Sequence, residues 1–158
     1  MKNGTYDLKQ VDQLVKEIAL QILKDDSTAS RTKAQIIRLQ GDLGTGKTTF
    51  AKAFAKALGI QNHITSPTFV IVKQYNVPQR GERDKQKSGF KQLIHIDAYR
   101  MDTKEDIETL NIEEFLNDPS NIVLIEWPEK LGKLIPKNSI TIKIDHKDIT
   151  TRNIQISL

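Results

Sequence analysis

The sequence predicts an α/β fold in which a mixed central β-sheet is flanked by helices. Apolar residues at positions 8 to 23 recur every three or four residues, as on one face of a helix. An apolar run, a glycine-rich turn and a second helical pattern then follow one another between positions 34 and 59. Most of the remaining apolar residues lie in short runs typical of strands. At 158 residues the chain is long enough for one buried core, so we expect residues 1–158 to form a single domain.

The first third of the chain predicts helix, strand and helix in that order. Leu8–Leu23 forms the first helix, and the polar stretch "KDDSTASRTK" is a loop. "AQIIRLQ" is a short strand that leads directly into "GDLGTGKTT". The next helix buries Phe50, Phe54 and neighbouring small residues, and Gly59 lies where a left-handed helix cap is expected.

The remainder of the chain predicts five strands and one helical region. "FVIVKQY" and "QLIHIDAY" form a hairpin whose connection includes a flexible basic insertion at about residues 78–91. Asp102 and Glu105 resemble a capping box that opens a helical region ending near Leu116. "NIVLIEW" predicts a strand buried on both faces. "SITIKID" and "RNIQISL" predict two half-exposed strands joined by a charged turn.

Composition excludes several classes of function. The net charge is +4, and the segment from Arg80 to Lys91 accounts for most of it with five basic and two acidic residues, which argues against a general nucleic-acid-binding surface. There are no cysteines, and the three histidines have no metal-ligand spacing. No apolar run approaches the roughly 18 residues of a membrane span, and the start lacks a signal-peptide centre, so we expect no membrane contact and a cytoplasmic location.

The glycine-rich turn carries the pattern G-x-x-x-x-G-K-[ST], with Gly41, Gly46, Lys47 and Thr48 at its fixed positions. Glycines at 41, 44 and 46 let the backbone curl so that N–H groups point at phosphate oxygens. The lysine supplies a point charge and the threonine a hydroxyl for Mg²⁺. The pattern predicts a nucleoside triphosphate site in a P-loop NTPase domain, bound by Gly41, Asp42, Leu43, Gly44, Thr45, Gly46, Lys47, Thr48 and Thr49.

Two acidic residues at strand ends are candidates to complete this site. Glu126 follows four consecutive apolar residues, the pattern of a central strand, and we assign it with Thr48 to the metal. Asp97 would then orient or deprotonate the attacking water, although the two roles can be exchanged on the sequence alone. The predicted catalytic residues are therefore Lys47, Asp97 and Glu126.

Two further features lie beside these motifs. Hydroxyls in "TSPTF", residues 65–69, could sense a γ-phosphate as switch segments do, but the spacing by itself favours an ordinary turn before a strand. Trp127, the one tryptophan in the sequence, follows Glu126 and is a natural reporter of nucleotide binding.

The segments "GDLGTGKTT", "TSPTF", "HIDAYR" and "LIEWPE" occur in the order that characterises the TsaE (YjeE) family, which the chain resembles over nearly its whole length. The resemblance implies an ATPase subunit of bacterial tRNA threonylcarbamoyladenosine synthesis, with ATP and Mg²⁺ held through Thr48 and Glu126. It implies the partners TsaD and TsaB, whose complex modifies the adenosine next to the anticodon, and hydrolysis that keeps this complex turning over. It also makes Arg152 a candidate nucleotide contact in the C-terminal hairpin.

Other interpretations stay open at this level. A small P-loop kinase acting on a nucleoside or metabolite would use the same loop, and so would a non-catalytic nucleotide switch. The basic insertion is most simply a long hairpin connection, and a weak contact to tRNA or to an acidic partner is the alternative.

Overall fold

The computed structural model describes residues 2–24, 31–61, 64–65, 67, 71–79 and 89–157. In chain order, the first strands and helices are β1 (Lys2–Asp7), α1 (Leu8–Lys24), β2 (Gln35–Gln40), α2 (Lys47–Ala57), β3 (Val72–Asn76) and β4 (Gln92–Asp97). They are followed by α3 (Lys104–Glu108), α4 (Ile112–Asn117), β5 (Asn121–Glu126), a 3₁₀ segment (Pro128–Leu134), β6 (Ile140–His146) and β7 (Thr151–Ser157).

The seven strands form one sheet in the order β1-β7-β6-β2-β5-β4-β3. The four inner strands β6, β2, β5 and β4 run parallel to one another. The outer strands β7, β1 and β3 pair antiparallel with their neighbours. The predicted mixed sheet flanked by helices is therefore confirmed.

Helices cover both faces of the central strands. On one face, α1 and α2 pack against apolar residues of the sheet such as Leu39 and Leu124. On the other face, α4 and the 3₁₀ segment pack against alternate residues of the same strands, such as Val123 and Ile125. Every residue of β5 is buried, as the continuous apolar run predicts.

Most predicted elements are confirmed, including both helices of the first third, the hairpin of β3 and β4, and strands β5 to β7. Gly59 has a φ of 86° just after α2, which confirms the left-handed cap. The strand predicted from residue 69 begins later, because Ile71 has a positive φ of 65° and β3 starts at Val72. The sequence analysis also missed β1, whose polar residues have no strand pattern.

The prediction of a capping box at Asp102 and Glu105 is wrong by one residue. The cap is Thr103, whose hydroxyl accepts a hydrogen bond from the Asp106 N–H, while the Asp106 carboxylate accepts from the Thr103 N–H. The helical region is also two short helices rather than one. Asn111 has a φ of 47°, which ends the first helical direction before α4 begins.

Some sequence predictions fall outside the described residues. These are the central part of the basic insertion (residues 80–88), most of the loop after α1 (25–30), and Ser66, Thr68 and Phe69 of the "TSPTF" segment. Of that segment, the described Thr65 is exposed and accepts a hydrogen bond from Lys73. Among the described helices, none has both the length and the apolar character needed to cross a membrane.

Candidate nucleotide site

The glycine-rich loop connects the end of β2 to the first residue of α2, at the carboxyl edge of the parallel strands. Its three glycines, Gly41, Gly44 and Gly46, all have positive φ, at 139°, 78° and 108°. A Cβ atom on Gly41 would lie 2.1 Å from the Ile144 carbonyl oxygen of β6. The loop therefore has the curled backbone predicted for it, and the neighbouring strand β6 lies directly against its first residue.

Lys47 is the first residue of α2 and points into the curl of this loop. Its side chain is only 4% exposed, and its Nζ donates to the carbonyl oxygens of Gly41 (2.7 Å) and Asp42 (2.8 Å). The same Nζ lies 3.9 Å from the ring centroid of Trp127. Burial lowers the pKa of Lys47, while the negative charges of Glu126 and Asp97 act in the opposite direction. The ammonium group is thus held inside the curl of the glycine-rich loop by two backbone carbonyls.

Glu126 ends β5 and lies beside this lysine. Its Oε2 accepts a hydrogen bond from the Thr48 hydroxyl at 3.0 Å. Its Oε1 is 2.8 Å from Nε2 of His95, which lies two residues before the end of β4. Both side chains of this pair are almost fully buried. The carboxylate is therefore oriented from two sides, by the loop helix and by the adjacent strand.

Asp97 lies next to Glu126 in the register of β4 and β5, so both acidic residues end their strands at the same edge of the sheet. Asp97 is buried, and its Oδ1 accepts a hydrogen bond from the Tyr99 N–H at 3.1 Å. Its own N–H donates to the Ile71 carbonyl at 2.9 Å. The ring of Tyr99 in turn packs on Trp127, with 5.0 Å between centroids.

These side chains surround one cavity of about 280 Å³. It is lined by Leu43, Gly44, Gly46, Lys47, Thr48, Thr49, Asp97, Tyr99, Glu126 and Trp127. Eight of these ten residues were predicted to bind nucleotide or to act in catalysis. Of the other predicted loop residues, Gly41 and Asp42 accept hydrogen bonds from the Lys47 Nζ through their carbonyls, and the Thr45 hydroxyl donates to the Asp42 carbonyl.

Arg152 does not line the cavity, although it was a candidate nucleotide contact. It lies on β7, and its Nε donates to the Thr45 carbonyl oxygen at 3.0 Å. Its Nη1 donates to the carbonyls of Asp148 (3.0 Å) and Thr151 (2.8 Å). The structure thus brings Arg152 to the outer side of the glycine-rich loop.

The sequence analysis missed His95 and Tyr99 as parts of the site. His95 precedes Asp97 by two residues, so both side chains leave β4 on the same face. That spacing was the available signal, but it is equally typical of a histidine in a strand core. Tyr99 follows directly in the "HIDAYR" segment, where only Asp97 had been assigned a role.

The oxygen atoms at this site suit a small hard cation. Mg²⁺ takes oxygen ligands and is held by one or two protein groups together with phosphates and water. Thr48 and Glu126 offer a hydroxyl and a carboxylate 3.0 Å apart on the cavity wall. Over the described part of the chain, no group of three or more His, Cys, Asp or Glu residues could hold a metal by itself. The residues therefore fit a cation that is shared with bound phosphates.

Comparison with known proteins assigns the chain to a family. The family model described as "Threonylcarbamoyl adenosine biosynthesis protein TsaE" matches residues 6–154. Two curated proteins named "tRNA threonylcarbamoyladenosine biosynthesis protein TsaE" are each 36% identical to this chain. The Haemophilus influenzae protein aligns over 124 residues, 78% of this chain and 70% of the relative. The Bacillus subtilis protein aligns over 120 residues, 73% and 67% of the two chains.

A solved structure agrees with this assignment. The crystal structure of YdiB from Bacillus subtilis superposes with a TM-score of 0.61 at 28% sequence identity, covering 98% of this chain and 84% of YdiB. The range matched by the family model, residues 6–154, includes the glycine-rich loop and the strand ends that carry Asp97 and Glu126. The chain therefore belongs to the TsaE family of threonylcarbamoyl adenosine biosynthesis proteins.

Proposed function

We propose that this chain is the ATP-binding and ATP-hydrolysing subunit of tRNA threonylcarbamoyladenosine synthesis, and that residues 1–158 act as one domain. It would act on a complex of TsaD and TsaB in the cytoplasm and reach tRNA through these partners or by weak contact. The observation that carries the proposal is the convergence of Lys47, Thr48, Asp97 and Glu126 on one cavity at the end of the parallel strands. Family membership supports the pathway.

The binding step follows from the positions of the loop residues. Backbone N–H groups at the start of α2 and the ammonium group of Lys47 provide positive charge for a triphosphate. Lys47 would exchange its hydrogen bonds to the Gly41 and Asp42 carbonyls for phosphate oxygens, which lie in the same curl. Because the ammonium group is already desolvated, this exchange requires little further loss of hydration.

Thr48 and Glu126 would hold Mg²⁺ at this site. When bound, the ion neutralises negative charge on the transferred phosphoryl group and orients it. His95 would act as a positioning residue for Glu126, because its Nε2 fixes one carboxylate oxygen while the other faces Thr48. Outer partners of this kind commonly tune the affinity of a metal site.

Asp97 would position the attacking water or accept its proton. The carboxylate lines the cavity beside Glu126 and accepts a hydrogen bond from the Tyr99 N–H, so the backbone would orient a general base at this position. Among the described residues that line this cavity there is no arginine. We therefore propose slow hydrolysis by the isolated chain and faster hydrolysis in the presence of its partners.

The test is reconstitution of tRNA modification with purified TsaD, TsaB, substrate tRNA and this chain. We expect repeated turnovers with ATP and at most about one modification per complex when a non-hydrolysable ATP analogue replaces it. Modification that is equally productive with the analogue would favour the non-catalytic switch. Phosphoryl transfer to a nucleoside or metabolite without TsaD and TsaB would favour the kinase. Trp127 fluorescence provides a separate measure of nucleotide binding, because its ring contacts Lys47.

A further inference from the structure

The C-terminal hairpin reaches the glycine-rich loop through one side chain. Arg152 lies on β7, opposite Tyr6 of β1 and His146 of β6. Its guanidinium group donates to three carbonyl oxygens: Thr45 in the loop, and Asp148 and Thr151 in the turn between β6 and β7. Thr45 is 107 positions away in sequence. The planar guanidinium group therefore joins two backbone segments that are otherwise distant along the chain.

The turn that supports Arg152 is itself fixed by Asp148. The carboxylate of Asp148 accepts hydrogen bonds from the N–H groups of Thr150 and Thr151, both at 2.8 Å, and from their hydroxyls. These bonds lower the pKa of Asp148 to about 2, because they favour the ionised carboxylate. Arg152 thus holds the loop from a support with defined geometry.

The hydrogen bond to Thr45 has a consequence on the other side of the same peptide. The described chain contains no cis peptide bonds, and in a trans peptide the carbonyl and the following N–H point in opposite directions. The Thr45 carbonyl points outward to Arg152, so the Gly46 N–H points away from the hairpin. Gly46 lines the cavity together with Lys47 and Thr48. The Gly46 N–H therefore lies on the side of the peptide opposite Arg152, in a residue that lines the cavity.

We propose that Arg152 is a positioning residue that orients the Gly46 N–H for a nucleotide phosphate by fixing the Thr45–Gly46 peptide, without touching the nucleotide. The inference rests on the proposed nucleotide binding and assigns Arg152 a different role from the direct contact predicted from the sequence. A second hydrogen bond fixes the same turn, since the Thr45 hydroxyl donates to the Asp42 carbonyl at 2.9 Å. Arg152 and Thr45 therefore act on one backbone segment.

A double-mutant cycle tests this role through ADP affinity. Arg152→Gln removes the bonds to the turn and loop, and Thr45→Val removes the hydroxyl while keeping the volume. We expect Arg152→Gln to weaken ADP binding about tenfold, the effect of losing a charge-assisted hydrogen bond. We expect the double variant to bind ADP no more than about twofold more weakly than Arg152→Gln alone, because both changes release the same peptide.

Two further variants and one spectroscopic measurement distinguish a positioning role of Arg152 from an effect of its positive charge and from misfolding of the variant. Lys143→Gln removes one positive charge from the same hairpin, where it pairs with Asp145, and should leave ADP affinity within about twofold of the wild type. Arg152→Lys keeps the positive charge but loses the planar guanidinium group with its several N–H donors. We therefore expect its ADP affinity to lie between those of the wild type and Arg152→Gln. In the nucleotide-free protein, Arg152→Gln should shift the Gly46 amide resonance and leave the amides of α1 unchanged.

Three results would overturn the inference. Additive effects in the cycle would mean that Arg152 and Thr45 act independently. Loss of ATP affinity with unchanged ADP affinity in Arg152→Gln would indicate direct contact with the γ-phosphate. An unchanged Gly46 resonance would show that the peptide does not depend on Arg152. These results concern the variants alone, whereas failure of the wild type to bind ADP or ATP would contradict the proposed function itself.

Discussion

The strands β4 and β5 at the centre of the sheet differ from β6, β7 and β1 in the side chains that they bury. The carboxyl ends of β4 and β5 and the start of α2 bury ionisable side chains, namely Lys47, His95, Asp97 and Glu126. In the described parts of β6, β7 and β1, the fully buried side chains are all apolar. Buried charge is costly unless it is paired or used, so its restriction to one edge marks where the chemistry takes place.

Strand direction accounts for part of this difference. Parallel strands bring their carboxyl ends to the same edge of a sheet, where side chains from several strands meet. The strand β7 runs antiparallel to β6 and cannot add to this set in the same way, and the hairpin of β6 and β7 contacts the backbone of the glycine-rich loop instead. Ile144 limits the space behind Gly41, and Arg152 holds the carbonyl of Thr45. One region supplies reactive groups, and the other maintains the shape of the loop.

The largest effect that this comparison predicts belongs to Lys47. Lys47→Ala should lower ATP hydrolysis about a thousandfold, because a preorganised charge at the phosphates is lost. The matched control is Lys52→Ala, on the exposed face of the same helix, which should retain activity within about twofold. Steady-state ATPase assays with TsaD and TsaB measure both. Near-normal hydrolysis by Lys47→Ala would place the chemistry elsewhere.

Substitutions of the two acidic residues should change the Mg²⁺ dependence of ATP hydrolysis in different ways. Asp97→Asn should lower kcat about a hundredfold or more and leave the Mg²⁺ concentration for half-maximal activity unchanged, as expected for loss of a general base. Glu126→Gln should raise that Mg²⁺ concentration about tenfold or more, because a charged ligand is lost. Titrations of ATPase activity with Mg²⁺ distinguish the two. The reverse pattern would exchange the assigned roles.

A smaller effect, on the free energy of unfolding, tests the contact between the glycine-rich loop and the strand β6. Gly41→Ala should lower the free energy of unfolding by about 2 to 4 kcal/mol, because the new methyl group meets the Ile144 carbonyl at 2.1 Å and the backbone φ is 139°. Gly59→Ala provides the comparison. It introduces a residue at a φ of 86° without such a clash and should cost about 1 kcal/mol. Urea unfolding curves measure the free energy of unfolding of both variants. Equal losses in the two variants would show that β6 does not restrict the loop.

The smallest effect concerns the turn of the flanking hairpin. The pKa of the Asp148 carboxyl is lowered from its usual value of 3.8 to about 2, chiefly by hydrogen bonds from Thr151 and Thr150. A lowered folded-state pKa stabilises the fold above pH 4, and this contribution is lost as the pH falls through 2. Carbon-detected NMR titration should give a midpoint near 2. A midpoint near 4 would mean that the turn is open in solution.

The sequence was sufficient for features that depend on local pattern. The continuous apolar run of β5, the periodicity of α1 and the glycine-rich loop each determine their own structure, and the loop motif with the two strand-end acids identifies most residues of the cavity. The strand β1 was not predictable in this way. Its sequence "KNGTYD" has little strand preference, and it is ordered by pairing with β7 at the other end of the chain.

Site features that depend on long-range contacts were also beyond the sequence. From the sequence alone, His95 is expected to be a residue of the strand core. Its contact with Glu126 depends on the register of β4 and β5. The contact of Arg152 with Thr45 joins residues 107 positions apart, and no spacing in the sequence indicates it. Asn111 divided the predicted helix because it adopts a left-handed conformation that helical periodicity does not detect.

The strand order also constrains how the chain can assemble. β5 lies between β2 and β4 in space but follows both in the sequence. During synthesis, the β3–β4 hairpin and the β2–α2 unit emerge before the strand that joins them. Until residues 121–126 have left the ribosome, each of these parts exposes an apolar strand edge without a partner. The segment that ends in Glu126 therefore joins these two parts of the sheet, and the same segment brings Glu126 to the cavity.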